Sequence, residues 1–141
     1  MLRVVATSSV VLLLTGSLAA QISAPAKVYR TQYLELRAKA TTLLERSRQA
    51  NSTQAKMNLQ EEGLALTKLV HRLGEEAARD NMERMQRSQP TDKSLSLVVL
   101  GCSALDFLLQ STDHYLDTGD LAFLQLAKQG ASLMDSVEGF F

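Results

Sequence analysis

The sequence predicts an all-α protein: an up-down-up-down four-helix bundle that follows a cleaved signal peptide. From Pro25 onward the chain has twenty Leu, five Val and no Ile. This preference is typical of helices, because Leu loses less rotamer freedom in a helix than β-branched residues do. Apolar residues also recur at alternating spacings of three and four. Short polar breaks at 51–52, 88–91 and 118–120 separate four such segments, and short connections place consecutive helices antiparallel.

Residues 1–20 form the predicted signal peptide. A single basic residue near the start precedes a short apolar centre, and small residues precede a cleavage site after Ala19 or Ala20. We therefore expect an exported protein, in the periplasm or another extracytoplasmic compartment, with one helical domain over 25–141. The next charge comes only at Lys27, so an uncleaved membrane anchor is the alternative.

The first two helices are predicted over 26–50 and 53–87. Asn51 or Ser52 suits the N-cap of helix 2. Helix 2 is about ten residues longer than its neighbours, so its polar end either projects beyond the bundle or bends near Gly74. The predicted inner stripes are Tyr29, Tyr33, Leu36, Ala40, Leu43 and Ser47 in helix 1, and Leu59, Leu66, Val70, Leu73 and Ala77, continued by Met82 and Met85, in helix 2.

The other two helices are predicted over 92–116 and 121–138. Thr91 or Asp92 caps helix 3, and Gly119 suits the left-handed position after its end. The predicted inner stripes are Leu95, Val98, Cys102, Leu105, Leu109, Thr112 and Leu116 in helix 3, and Phe123, Ala127, Gly130, Met134 and Val137 in helix 4.

Helix 3 carries more apolar surface than a bundle helix needs. A second apolar face, roughly opposite the inner stripe, includes Leu97, Leu100, Phe107 and Leu108. A helix that is apolar on nearly all sides has to be buried on all sides. We therefore expect this face to be covered by a protein partner, by a second copy in a homodimer, or by residues 139–141 folding back. Exposed apolar patches of this kind mark interaction sites, so these four residues are the predicted interaction surface.

Few side chains could bind a metal ion. Asp113, His114 and Asp117, near the end of helix 3, are candidate ligands for a divalent cation. They also suit a structural role, as turn formers and as a histidine that offsets the helix dipole. His71 and His114 differ by about 9 Å in height in an antiparallel bundle, which is too far for both to bind one ion.

Composition excludes several classes of protein. One Cys excludes an internal disulfide framework and any Cys-x-x-Cys motif. Basic and acidic residues number 15 each, so the net charge gives no electrostatic case for binding a nucleic acid, which needs a concentrated basic face. No Ser or Cys nucleophile can be paired with His114 and no phosphate-binding loop occurs, so we expect no catalytic residues.

The predicted function is therefore a non-enzymatic binding or accessory module, exported, with no cofactor and no stable membrane anchor after cleavage. The alternative is a haem- or copper-binding four-helix carrier. In that alternative Cys102 and Met134 come level in the bundle, and their two sulfurs could bind Cu(I).

Charge is divided unevenly along the chain after the signal peptide. Residues 27–93 carry 13 Lys and Arg against 9 Asp and Glu, a net charge of +4. Residues 94–141 carry one Lys against six Asp and Glu, a net charge of −5. The two halves are expected to attract each other. The alternative is an acidic docking surface for a basic partner.

Overall fold

The computed structural model describes residues 24–141, which form four helices and no strand. The helices are α1 (Ala24–Gln49), α2 (Thr53–Gln86), α3 (Lys93–Thr118) and α4 (Leu121–Glu138). Each end lies within two residues of its predicted position, so the all-α, four-helix prediction is confirmed. The predicted signal peptide, residues 1–20, lies outside the described residues.

Side-chain caps begin three of the helices. The side chains of Ser52, Asp92 and Asp120 each accept a hydrogen bond from a backbone N–H in the first turn of α2, α3 and α4. Gly119 has φ of 71°, in the left-handed region that a glycine adopts without strain. This residue lets α4 turn back along α3 after a two-residue connection.

Helix α3 contacts each of the other three helices. α1 and α2 pack on α3 and on each other, and α4 packs mainly on a further side of α3. Among the described helices α3 alone is long and apolar enough to cross a membrane, and more than half of that stretch is buried inside the protein. Three helical neighbours therefore account for most of the apolar surface of α3.

Two glycines allow close approaches to α3. A Cβ on Gly130 of α4 would lie 3.1 Å from the Leu108 backbone nitrogen and 3.2 Å from the Ala104 carbonyl oxygen. A Cβ on Gly101 of α3 would lie 2.8 Å from the ring of Tyr33, which α1 contributes to the core. Because glycine has no Cβ, α4 can pack closely on one side of α3 at Gly130, and α1 on another side at Gly101.

The opposite charges of the two halves are partly paired inside the molecule. Arg37 of α1 binds both Asp135 and Glu138 of α4. Within residues 24–141, Asp113 and Asp117 form no ion pair. The acidic half therefore keeps uncompensated charge at the C-terminal end of α3.

The end of α2 projects beyond the bundle, which is one of the two alternatives that its length predicted, but its two methionines were wrongly assigned to the core. α2 runs as one helix through Gly74. Met82 and Met85 are exposed, although they were expected to continue the inner stripe. The Asn81 side chain bonds the backbone of Asp92 just before α3 begins, so the last turn of α2 extends past the start of α3.

Candidate functional site

The predicted interaction surface on α3 is divided by the packing of α4. Leu108 is fully buried against Gly130, so its assignment to an exposed surface is wrong. Leu97 is half-buried. Leu100 and Phe107 keep 56% and 38% of their surface exposed. The cover over this face is therefore supplied by α4 rather than by residues 139–141, and it leaves two of the four predicted residues in solvent.

Helix α4 contributes two further leucines to the same surface. Because α3 and α4 are antiparallel and Gly130 lies between Ala104 and Leu108, level with about residue 106, Leu133 comes level with about residue 103 and Leu126 with about residue 110. The edge of α4 that carries Glu138 faces α1, so Leu126 and Leu133 lie on the other edge, beside the exposed side of α3.

This four-residue set, Leu100, Phe107, Leu126 and Leu133, is named the α3–α4 apolar surface. Leu133 is 54% exposed and Leu126 is half-buried. Sequence reasoning missed both α4 leucines because they lie just outside the inner stripe of helix 4. The sequence does contain a signal for them, because each directly precedes a residue of the inner stripe, Ala127 or Met134.

The predicted metal ligands do not converge. Asp113, His114 and Asp117 are all exposed. No group of three or more His, Cys, Asp or Glu side chains within residues 24–141 is arranged to hold a metal ion. The His114 ring instead stacks on Phe123 of α4, with ring centroids 5.1 Å apart. His114 therefore packs against α4, and Asp113 and Asp117 lie at the surface.

A groove between α2 and α3 contains two cavities of about 380 and 390 Å³. The first is lined by Gln60, Glu61, Gly63, Leu64, Thr67, Leu109, Gln110, Asp113 and His114. The second is lined by Val70, His71, Gly74, Glu75, Ala78, Val99, Cys102, Ser103 and Asp106. Both sets recur on one face of α2 and one face of α3 at helical spacing, so the cavities follow each other along the same groove.

A hydrogen bond crosses this groove at the end of the second cavity that is nearer the first. His71 Nε2 lies 2.9 Å from Asp106 Oδ1. The other Asp106 oxygen accepts a hydrogen bond of 2.7 Å from the Gln110 amide. Sequence reasoning placed His71 beside the inner stripe without a partner. The antiparallel register was the available signal, because it brings residue 71 level with α3 close to residue 106.

Cys102 forms part of the floor of the second cavity. Burial raises the pKa of its thiol to about 12, so the thiol is protonated at neutral pH and is a poor nucleophile and metal ligand. A Cβ on Gly74 of α2 would lie 3.3 Å from the Cys102 Cβ. Cys102 therefore faces α2, whereas Met134 belongs to α4 on another side of α3, and the two sulfurs do not face each other.

No family model, curated protein or solved structure matches this chain. Its function is therefore inferred from the surfaces and cavities of the described residues.

Proposed function

We propose that this protein is an exported, non-enzymatic accessory module that binds another protein through the α3–α4 apolar surface. The observation that carries the proposal is the exposure of Leu100 and Phe107 on a helix already packed against three others. Adjacent exposed apolar side chains lose contact with water when a partner covers them. Burial of a fully exposed Leu or Phe contributes about 1.5–3 kcal/mol, and Leu100 and Phe107, at 56% and 38% exposure, can each contribute about half of that. A protein with a matching apolar face is the occupant that this surface suits.

Few charges lie beside the surface. Of the six carboxylates in residues 94–141, Asp106 and Asp113 line the groove between α2 and α3. Asp135 and Glu138 pair with Arg37 at the α1 edge. The surface therefore suits the apolar face of another protein, and a second copy of this chain is a separate outcome of the test below.

Export is the second part of the proposal. It is supported by the apolar N-terminal stretch and by the small residues before Ala19 and Ala20. Mass spectrometry of the protein as its host produces it should give a mature N-terminus at Ala20 or Gln21. An intact N-terminus on a membrane-bound chain would contradict cleavage and support the anchor instead.

The binding surface can be tested by covalent capture in the native host. A photo-crosslinking amino acid is placed at position 100 or 107, and in separate controls at position 28 or 34. Val28 and Leu34 of α1 are matched to the surface leucine and phenylalanine in exposure, at 54% and 42%. We expect one protein to be captured from both surface positions and from neither control position.

A pair of double variants completes the test. Leu100→Glu with Phe107→Glu should abolish the capture from a probe at position 133, whereas Val28→Glu with Leu34→Glu should leave it unchanged. Circular dichroism checks that both variants are folded. Capture that is identical from surface and control positions would contradict the proposal. An adduct between two copies of this chain, with a dimer mass in light scattering, would reassign the surface to self-association.

A further inference from the structure

The groove between α2 and α3 is separate from the α3–α4 apolar surface. Neither of its cavities includes Leu100 or Phe107. The side chains of its lining include the exposed Leu64 and the buried Val70 and Leu109. An apolar lining between two helices is the kind of surface that receives an amphipathic helix from another protein.

The charge of the groove has one sign. Its lining includes the carboxylates of Glu61, Glu75, Asp106 and Asp113, and no Lys or Arg. Asp106 is bonded to His71, whereas the other three form no ion pair within residues 24–141.

The cations of the adjacent turns of α2 reduce this charge without reversing it. Lys68 is seven residues from both Glu61 and Glu75, so it lies beside the groove although it lines neither cavity. Arg72 lines the α1-facing side of α2. One Lys against four lining carboxylates leaves an excess of negative charge. The groove therefore complements a ligand that carries positive charge beside its apolar side chains.

The distance between the cavities sets a length for the ligand. Gly63 lines the first cavity and Gly74 the second, eleven residues later on the same helix. Eleven residues rise about 16 Å along an α-helix. Residues eleven positions apart in a bound helix also lie on nearly the same face, because three turns take about 10.8 residues. The hydrogen bond between His71 and Asp106 crosses the groove between the levels of Gly63 and Gly74. A bound helix can therefore place one side chain on each side of this bond, but not a continuous row of side chains along the groove.

We propose that the α2–α3 groove docks a cationic amphipathic helix of another protein. Two apolar side chains of that helix, three turns apart, enter the two cavities. Lys or Arg residues flanking them face Glu61, Glu75 and Asp113. This inference does not depend on the proposed function, because the groove and the α3–α4 apolar surface share no residue.

The spacing is tested with synthetic peptides. The probe is an Ala-rich helical peptide of about 18 residues, with two Phe three turns apart, flanking Lys residues and a fluorescent label. One control peptide has the two Phe two turns apart, which keeps them on one face but shortens their separation to about 10 Å. A second control replaces each Lys by Glu. Fluorescence anisotropy measures binding to the protein as its host produces it.

The spacing and the charge make separate contributions to affinity. We expect the two-turn control to bind about tenfold more weakly, because only one Phe can be buried. The Glu peptide should not bind measurably, because like charges then face each other across the groove. Equal binding of the two spacings would overturn the proposal.

The site is tested with charge variants of the protein. Glu61→Gln with Asp113→Asn should weaken binding of the Lys peptide about fivefold, as two exposed ion pairs are lost. The matched control is Glu35→Gln with Glu83→Gln, which removes the same charge from two exposed carboxylates outside the groove. We expect less than a twofold effect from the control.

Two results would contradict the groove as the site. One is an equal loss of affinity in the groove and control variants, which would show binding by overall charge alone. The other is concentration-dependent self-association that the Glu61→Gln, Asp113→Asn variant abolishes, which would assign the groove to the basic half of a second copy. Neither result bears on crosslinking at positions 100 and 107, so the two proposals fail separately.

Discussion

The replacement Gly101→Ala tests the close approach of α1 to α3. The added Cβ would lie 2.8 Å from Cε2 and Cζ of Tyr33 and 3.2 Å from its hydroxyl oxygen. Carbon atoms make favourable contacts at about 3.5–4.0 Å, so the Tyr33 ring has to move. That ring is fully buried, and it meets the Phe141 ring edge-on with centroids 5.5 Å apart. Its displacement therefore disturbs packing between α1, α3 and the C-terminus.

The expected magnitude follows from two opposing effects. Inserting atoms into a well-packed core costs about 1–3 kcal/mol. Replacing a helical Gly by Ala contributes about 1 kcal/mol of stabilisation through helix propensity. Because the 2.8 Å contact is with a rigid, fully buried ring, the packing cost lies in the upper half of that range, about 2–3 kcal/mol, and Gly101→Ala should lower the free energy of unfolding by about 1–2 kcal/mol.

Gly63→Ala is the matched control, on α2. Its Cβ would lie 3.2 Å from Leu43 Cδ2, a single methyl group at the end of a side chain, which has to shift by only a few tenths of an ångström. We expect this variant to be as stable as the native protein, or more stable by up to about 1 kcal/mol. Urea unfolding followed by circular dichroism measures both variants. The reasoning is refuted if Gly101→Ala matches the native protein or Gly63→Ala in stability.

Three further predictions concern buried polar and ionisable groups. The Tyr33 hydroxyl is buried without a hydrogen-bond partner within residues 24–141, so Tyr33→Phe should leave stability unchanged or raise it by up to about 1 kcal/mol in urea unfolding. A loss above about 1 kcal/mol would show that the hydroxyl is bonded. Burial raises the pKa of the Cys102 thiol from 9.0 to about 12 in the folded protein. The stabilisation that comes from keeping this thiol neutral is complete below pH 9.0 and is lost as the pH rises towards 12, because the unfolded chain releases the proton first. Unfolding free energy should fall by up to about 1.4 kcal/mol per pH unit in that window, and a Cys102→Ala variant with the same slope would contradict this. Arg37→Met leaves the mostly buried Glu138 carboxylate unpaired and should lower the free energy of unfolding by about 1–2 kcal/mol. Adding Glu138→Gln should recover part of that loss, and a double variant no more stable than Arg37→Met would contradict the pairing.

Predictions that rest on neighbours in the sequence were accurate. Asp92, one of two predicted caps, accepts the backbone N–H of Ser94 at 2.8 Å, because a cap bonds within its own first turn. The inner stripe of α1 was also correct, with Tyr33 and Leu43 buried as the three-four spacing requires. Side chains at that spacing share one face whatever lies opposite.

Predictions that rest on the arrangement of helices were less accurate. Met82 and Met85 continue the apolar spacing of α2, yet both are exposed because the end of α2 extends past the start of α3. The bridge between His71 and Asp106 joins residues 35 positions apart. Neither outcome has a signature within a few residues of the positions concerned.

Four helices, their caps and most of their inward faces follow from the sequence, since hydrogen bonds and side-chain periodicity within a helix are local. From periodicity alone, Leu100 and Leu108 have the same predicted exposure, since both are apolar residues on the second face of α3. Only the docking of α4 through Gly130 distinguishes them, burying Leu108 and leaving Leu100 in solvent. Burial depends on which surface another helix occupies, and that is set by the packing of the whole chain.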